Sequence, residues 1–368
     1  MLVKVAYKEV VVLYDIITVG SNTLDIFVKT DLPVMHFYNY KKTKGKKHLK
    51  DGTRIAYPLG EKILINHLEF QVGGGGTNTA VAFSRLGLKT AYLGKIGKDE
   101  SGLSVFRSLR NESVKFIGAL GNASGLSVIL DSVEDDRTIL AYKGCNNFLE
   151  FKEVDKNKLS AKWFYFSSMI GDSLRTMNQL SAFASKNKIK IAFNPSSYMA
   201  KSGLKKLKPI IKNTSILILN KEESCDILGK KHDNKLDVRE VLVELKKHIS
   251  ECVVITDGSN GAWCYDGQKI LFAKPVKGLK IIETTGAGDA FAAGFTAQAT
   301  KEKSIEECFR AGFIESEAVI TAYGAKNNLL SASMLKRKLN QDKRKRKVTE
   351  IKLQSVQKIK SRTKNKKS

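Results

Sequence analysis

Short apolar runs recur along the chain, each closing on a small or polar residue: "DIITVGS" (15–21), "TAYLGKIG" (90–97), "WFYFSS" (163–168), "KIAFN" (190–194), "SILILN" (215–220) and "CVVIT" (252–256). Runs without a polar alternate face read as strands buried on both sides, the pattern of a mostly parallel sheet. Segments of helical spacing lie between them, at 78–86, 173–187, 236–249 and 288–300. This alternation predicts a doubly wound α/β domain whose ligands sit beyond the carboxyl ends of the strands. Two segments break the rhythm: 24–72, with "LDIFVKTD" and "EKILI", and 125–142, "GLSVILDSVEDDRTILAY". Their β-branched content without a long intervening helix predicts a small separate β-sheet that forms a lid beside the ligand edge.

Charge changes the picture only at two places. Of the net +26, half belongs to residues 336–368, which hold 15 basic and 2 acidic side chains, and six further lysines lie between Lys41 and Lys50. The expected organisation is one domain at 11–335, followed by a disordered, basic, low-complexity tail at 336–368. A solvated tail and a tail that contacts a polyanion are both open readings. Five cysteines, odd in number and without a C-x-x-C pair, predict reduced and mostly buried thiols. No run reaches the ~18 apolar residues of a membrane span and no secretory leader pattern opens the chain, so a cytoplasmic location and no membrane partner are expected.

The chemistry concentrates in "IIETTGAGDAF" (281–291). A glycine turn that opens a helix gathers anions through unpaired N–H groups and the positive helix end. Asp289 behind it repels a bound phosphate, yet it can deprotonate an attacking hydroxyl while the turn stabilises the group being transferred. Base and anion hole then address different atoms. The chain has no G-x-x-x-x-G-K-[ST], and Phe291 stands where a dinucleotide fingerprint needs a small residue, so P-loop and NAD chemistry are excluded.

"ETTGAGDAF" (283–291) and "GGGGTNTAVAFSRLG" (73–87) resemble the C-terminal and N-terminal signatures of the ribokinase-like (PfkB) carbohydrate kinases. "GKIGKDESG" (94–102), "YKGCNN" (142–147), "NKEE" (220–223) and "ITDGSNGAW" (255–263) resemble its successive landmarks, so the resemblance spans roughly 14–330. It implies an ATP-dependent phosphotransferase that uses Mg²⁺ and acts on a hydroxymethyl group of a sugar, ribose-like first, with nucleosides the alternative. It gives Asp25, Gly74, Gly75 and Asn78 to the substrate. Asn220, Thr256, Gly258, Gly261 and Thr285 go to ATP, and Glu223 to the metal. Gly286, Ala287 and Gly288 form the anion hole, with Asp289 the base.

Two departures stand out. Thr23 replaces an asparagine frequent in ribokinases, and Glu283 replaces the usual aspartate, which leaves a monovalent-cation site beside that loop an open expectation. Arg137 and Asn146, in or beside the second lid segment, have two readings: residues that close on the substrate, or, as is commoner, an exposed charge and a turn asparagine. A lid edge strand that pairs between subunits makes a homodimer plausible.

Overall fold

The computed structural model describes residues 12–29, 34–37, 52–55, 59–131, 137–231 and 236–352. Its main sheet has ten strands. In spatial order they are Thr349–Lys352, Lys269–Ala273, Ala262–Tyr265, Cys252–Thr256, Ile216–Asn220, Lys190–Phe193, Ala161–Phe166, Tyr14–Val19, Thr90–Leu93 and Lys115–Phe116. From Cys252–Thr256 to the Lys115 edge all pairings are parallel, and the last three strands at the other edge are antiparallel.

Alternation along each strand explains why the runs are apolar throughout. Ile17, Phe164, Leu217 and Val253 join a core with helices Asp172–Lys186, Gly203–Ile211 and Val238–Lys246. Their neighbours Ile16, Trp163, Ile218 and Val254 join a second core on the opposite face, under helices Gly75–Arg85, Ala287–Thr300, Ile305–Val319 and Ala332–Lys345. Successive side chains point to opposite faces, and both faces are covered by helices. The "TAYLGKIG" run divides at Gly94: Thr90–Leu93 enters the main sheet, whereas Lys95–Gly97 pairs with Ala119–Gly121 in a separate two-stranded ladder.

The lid is a four-stranded sheet ordered Arg137–Tyr142, Leu126–Asp131, Thr23–Lys29, His67–Gly73. Asp25 stands opposite Ser127 on one side and Gln71 on the other. "EKILI" is not a strand; the strand starts at His67. Val34–Phe37 and Gly52–Ile55 form a separate hairpin ladder, while Lys41 to Lys50 and the Arg137 side chain lie outside the described residues. Asn146 is buried rather than a solvated turn residue. It exchanges hydrogen bonds with Asn22, from Asn22 N–H to its Oδ1 at 3.0 Å and from its Nδ2 to Asn22 O at 2.7 Å, and so pins the end of the first strand to the lid's exit.

The expected boundary at 335/336 is corrected. Helix Ala332–Lys345 runs through it, capped by Ser331, and Thr349–Lys352 adds an edge strand to the main sheet against Lys269–Ala273. Arg346 is 1 % exposed at its side chain, paired with Asp342 and Glu317, and its guanidinium lies 4.3 Å from the Phe313 ring centre. A segment that buries such a charge with its partners belongs to the fold. Residues 353–368 of the expected tail lie outside the described residues. All five cysteines are buried and unpaired, and among the described residues no helix is long and apolar enough to cross a membrane.

Candidate active site

A cavity of about 450 Å³ opens where the parallel strands end. The polar residues that close four of those strands, Ser167, Asn194, Asn220 and Thr256, face it, and the lid supplies Thr23, Asp25 and Ser127. Strand ends collect ligands because backbone groups and helix N-termini converge there without covering side chains.

The glycine run starting at Gly73 brings backbone against two of the acids. A β-carbon on Gly73 would come within 1.9 Å of Asp25 Oδ2, and one on Gly75 within 2.1 Å of Ser167 Oγ and 3.4 Å of Asp289 Oδ1. Burial raises the Asp25 carboxyl above its ordinary range. Hydrogen bonds with Thr23 and Ser127 and the positive charges of Lys326 and Lys143 pull it back. Lys326 is itself lowered to about 8 by burial, against the attraction of Asp25 and Glu112.

Helix Gly75–Arg85 carries Asn78 across to the other signature. Its Nδ2 donates to Asp289 Oδ2 at 3.0 Å, joining residues 211 positions apart, while its Oδ1 is buried without a hydrogen-bond partner. A buried acceptor without a partner beside the Asp289 carboxylate is free to take a hydrogen bond from a ligand hydroxyl. Asp289 lies in the first turn of helix Ala287–Thr300, and burial raises its carboxyl while the Asn78 amide opposes the shift.

Gly286 is the N-cap of that helix in the left-handed conformation, at φ 77°, and a β-carbon there would lie 2.5 Å from Ala325 Cβ. Among the described residues the N–H groups of Gly286 and Gly288 make no hydrogen bond, and both residues line the cavity. Ala287 does not share that role. Its N–H closes the turn onto Thr284 O at 3.2 Å, and it is not a lining residue. Glu283 ties the turn down: Thr285 Oγ1 donates to its Oε1, and Gly324 N–H to its Oε2 at 2.6 Å.

On the far wall Asn220 and Glu223 form a capping box for helix Lys221–Ile227. Glu223 N–H donates to Asn220 Oδ1 at 2.7 Å and Asn220 N–H to Glu223 Oε2 at 3.0 Å. Burial raises the Glu223 carboxyl and the charge of Asp289 adds to it, against hydrogen bonds with Asn220 and Ser197. Neither acid has an ion-pair partner among the described residues. The Glu223 carboxylate on this cavity wall suits Mg²⁺, which keeps several waters and takes one or two carboxylates.

Of the residues expected from sequence, Asp25, Gly74, Gly75, Asn78, Asn220, Glu223, Thr256, Thr285, Gly286, Gly288 and Asp289 all line the cavity. Gly258 and Gly261 do not; they sit in the turn between strands Cys252–Thr256 and Ala262–Tyr265. Sequence reasoning missed Ser167, Ser168, Asn194, Lys143 and Tyr198. The first three end strands that the apolar runs had located, so position alone could have found them. Tyr198 carries no such signal.

Comparison with known proteins agrees with this geometry. Residues 51–332 match the family model described as pfkB family carbohydrate kinase. An uncharacterized sugar kinase of Archaeoglobus fulgidus is 32 % identical over 68 % of this chain and 98 % of its own. A ribokinase of Lactococcus lactis is 27 % identical over 77 % of this chain and 90 % of its own. The crystal structure of the Methanocaldococcus jannaschii nucleoside kinase, an archaeal member of the ribokinase family, superposes with a TM-score of 0.69 at 21 % identity, covering 89 % and 98 % of the two chains. The family model spans most of a chain that places both signatures on one cavity, and the protein belongs to the pfkB family of carbohydrate kinases, which are ATP-dependent phosphotransferases acting on sugars and nucleosides.

Proposed function

We propose that the protein transfers a phosphoryl group from Mg·ATP to the hydroxymethyl group of a sugar, ribose-like sugars first. The observation that carries this reading is the Asn78 to Asp289 hydrogen bond of 3.0 Å beside the two free N–H groups of Gly286 and Gly288. It puts a candidate base and a candidate anion hole on one helix end, each aimed at a different atom.

When bound, Mg·ATP supplies the phosphoryl group and neutralises part of its charge. The protein does the rest by position. Asp25 and the open Oδ1 of Asn78 hold the acceptor's hydroxyls, and Asp289 takes the proton of the attacking one. Asn78 fixes which carboxylate oxygen is free to do so. A buried carboxyl raised above its ordinary range is also a stronger base than an exposed one. The N–H groups of Gly286 and Gly288 stabilise charge on the transferring group. Asn220 and Glu223 would hold the phosphates and Mg²⁺, with Thr256 and Thr285 toward the nucleotide. Gly258 and Gly261 serve it only through the backbone of their turn.

The test is ADP formation with Mg·ATP against a panel of sugars, sugar phosphates and nucleosides, with Asp289→Asn beside the wild type. Turnover on one acceptor, reduced by about 10²-fold or more in the variant, is the expected result. Near-normal turnover by the variant refutes the base. A second reading, a nucleoside acceptor, is favoured by Tyr198, a cavity-lining residue that is 67 % exposed; Lys143 Nζ lies over its ring at 5.6 Å, and the other face is left for stacking on a base. Higher turnover on nucleosides than on free sugars decides for it.

A further inference from the structure

A second cavity, about 460 Å³, lies at the antiparallel edge of the main sheet and matches the first in size. One rim is the segment after strand Lys269–Ala273, with Lys274 and Lys277; the other joins helix Ala332–Lys345 to the edge strand, with Lys345 and Lys347. All four lysines are exposed, and none has an ion-pair partner among the described residues. Among the described residues no carboxylate lines the groove, while Phe272 contributes a half-buried residue to its lining.

The rims are held at a fixed separation. Arg346 Nη1 donates to Lys274 O at 2.6 Å, Arg346 Nη2 to Glu317 Oε2 at 2.7 Å, and Val276 N–H to the other oxygen of Glu317 at 2.8 Å. Asp342 and Glu317 are consumed by buried arginines, and Glu350, next along the strand, pairs with Lys269 at 3.2 Å. The nearby acids therefore neutralise structural charges and leave the four groove lysines uncompensated. Thr256, Ala262 and Ala273 stand in register, so the groove lies two strand spacings, about 10 Å, along the same sheet edge from the Thr256 wall of the active-site cavity.

From these observations we infer that the groove binds the phosphodiester backbone of single-stranded nucleic acid, independently of sequence. A rigid, acid-free channel with a cation on each side follows a charged backbone, and the Phe272 ring gives a base a surface to rest on. Four lysine–phosphate contacts set the salt dependence. The slope of log affinity against log salt is about −0.7 per contact for a single strand, close to −3 in all, so binding falls roughly 50-fold between 50 and 200 mM salt.

The experiment is fluorescence anisotropy of a labelled oligo-uridine on the full chain across that salt range. Three proteins run beside it: the chain ended after Lys352, the quadruple variant Lys274→Glu, Lys277→Glu, Lys345→Glu, Lys347→Glu, and the milder pair Lys277→Gln, Lys347→Gln. Expected are a slope near −3, binding retained without residues 353–368, at least tenfold loss in the quadruple variant, and partial loss in the pair. Sugar-kinase turnover without nucleic acid stays unchanged. No binding at 50 mM salt overturns the inference. So does loss on removing 353–368 alone, binding within twofold of wild type in both lysine variants, or equal competition by poly-glutamate, which would mark a generic acidic-polymer site.

Discussion

Glu283 stands where the family signature usually has aspartate, and the structure makes the longer side chain a requirement. Its carboxylate bridges the glycine turn proposed as the anion hole, through Thr285, to Gly324 N–H at 2.6 Å. The same turn rests on Ala325 through Gly286, so the two segments hold each other in place. Glu283→Asp withdraws the carboxylate by one C–C bond, about 1.5 Å, which stretches the Gly324 contact to roughly 4 Å and past hydrogen-bonding range. A hydrogen bond to a charged group contributes about 1.5–3 kcal/mol. If that energy is what keeps Gly286 and Gly288 aimed at the transferring group, kcat falls by about 10- to 100-fold at ~1.4 kcal/mol per decade. The sugar KM moves little, because Asp25 and Asn78 lie on other elements. Glu283→Gln keeps the length: its amide oxygen still accepts from Gly324 N–H, while its NH2 meets Thr285 Oγ1 with the donor role reversed and the charge is lost, so it ranks between wild type and Glu283→Asp. Steady-state kinetics with Mg·ATP, paired with thermal melts to exclude unfolding, make the comparison. Wild-type kcat in Glu283→Asp, or a glutamine variant worse than the aspartate one, refutes the reasoning.

Two further predictions concern the helical layer and the C-terminal segment. Glu315 is fully buried, with Oε1 taking Leu330 N–H at 3.0 Å and Oε2 unpartnered, and burial pushes its carboxyl up to about 8. Its folded pKa is raised, so its stabilising contribution is complete below the ordinary carboxylate range and is lost as pH rises toward 8. Glu315→Gln removes that loss, and its urea-denaturation advantage over wild type grows by about 3.5 kcal/mol from pH 5 to pH 8; a difference that stays flat with pH refutes the assignment. A chain ended after Lys352 keeps helix Ala332–Lys345 and the edge strand and serves as the reference. Ending it after Leu335 removes the buried Leu339 and takes Asp342, at 2.9 Å, from the buried Arg310, which keeps only Glu306 at 2.8 Å, for a loss of about 3 kcal/mol. Equal melting of the two truncations shows that the helix and edge strand do not belong to the cooperative fold.

What the sequence made legible was whatever repeats on a local period. The strand runs announced both cores, because Ile16 and Ile17 take opposite faces of a sheet that has no wet side. The two glycine signatures announced the site, and the Asn78–Asp289 bond shows why both are needed: each supplies half of one polar unit. What stayed hidden depends on partners distant in the chain. Residues 336–352 looked like a solvated basic run because only Leu335 and Leu339 mark an apolar stripe on their helix. The groups that admit Arg346 to the interior lie elsewhere: the carboxylate of Glu317 is 29 residues earlier and the carbonyl of Lys274 is 72. A buried charge is decided by such partners and leaves no trace in composition. The same holds for Lys143 and Lys326, whose positive charges act on the Asp25 carboxylate from segments more than a hundred residues away in the chain. Composition counts a lysine identically whether it faces water or a substrate acid, so the charge balance of the chain describes its surface while the site's electrostatics must be read from the fold.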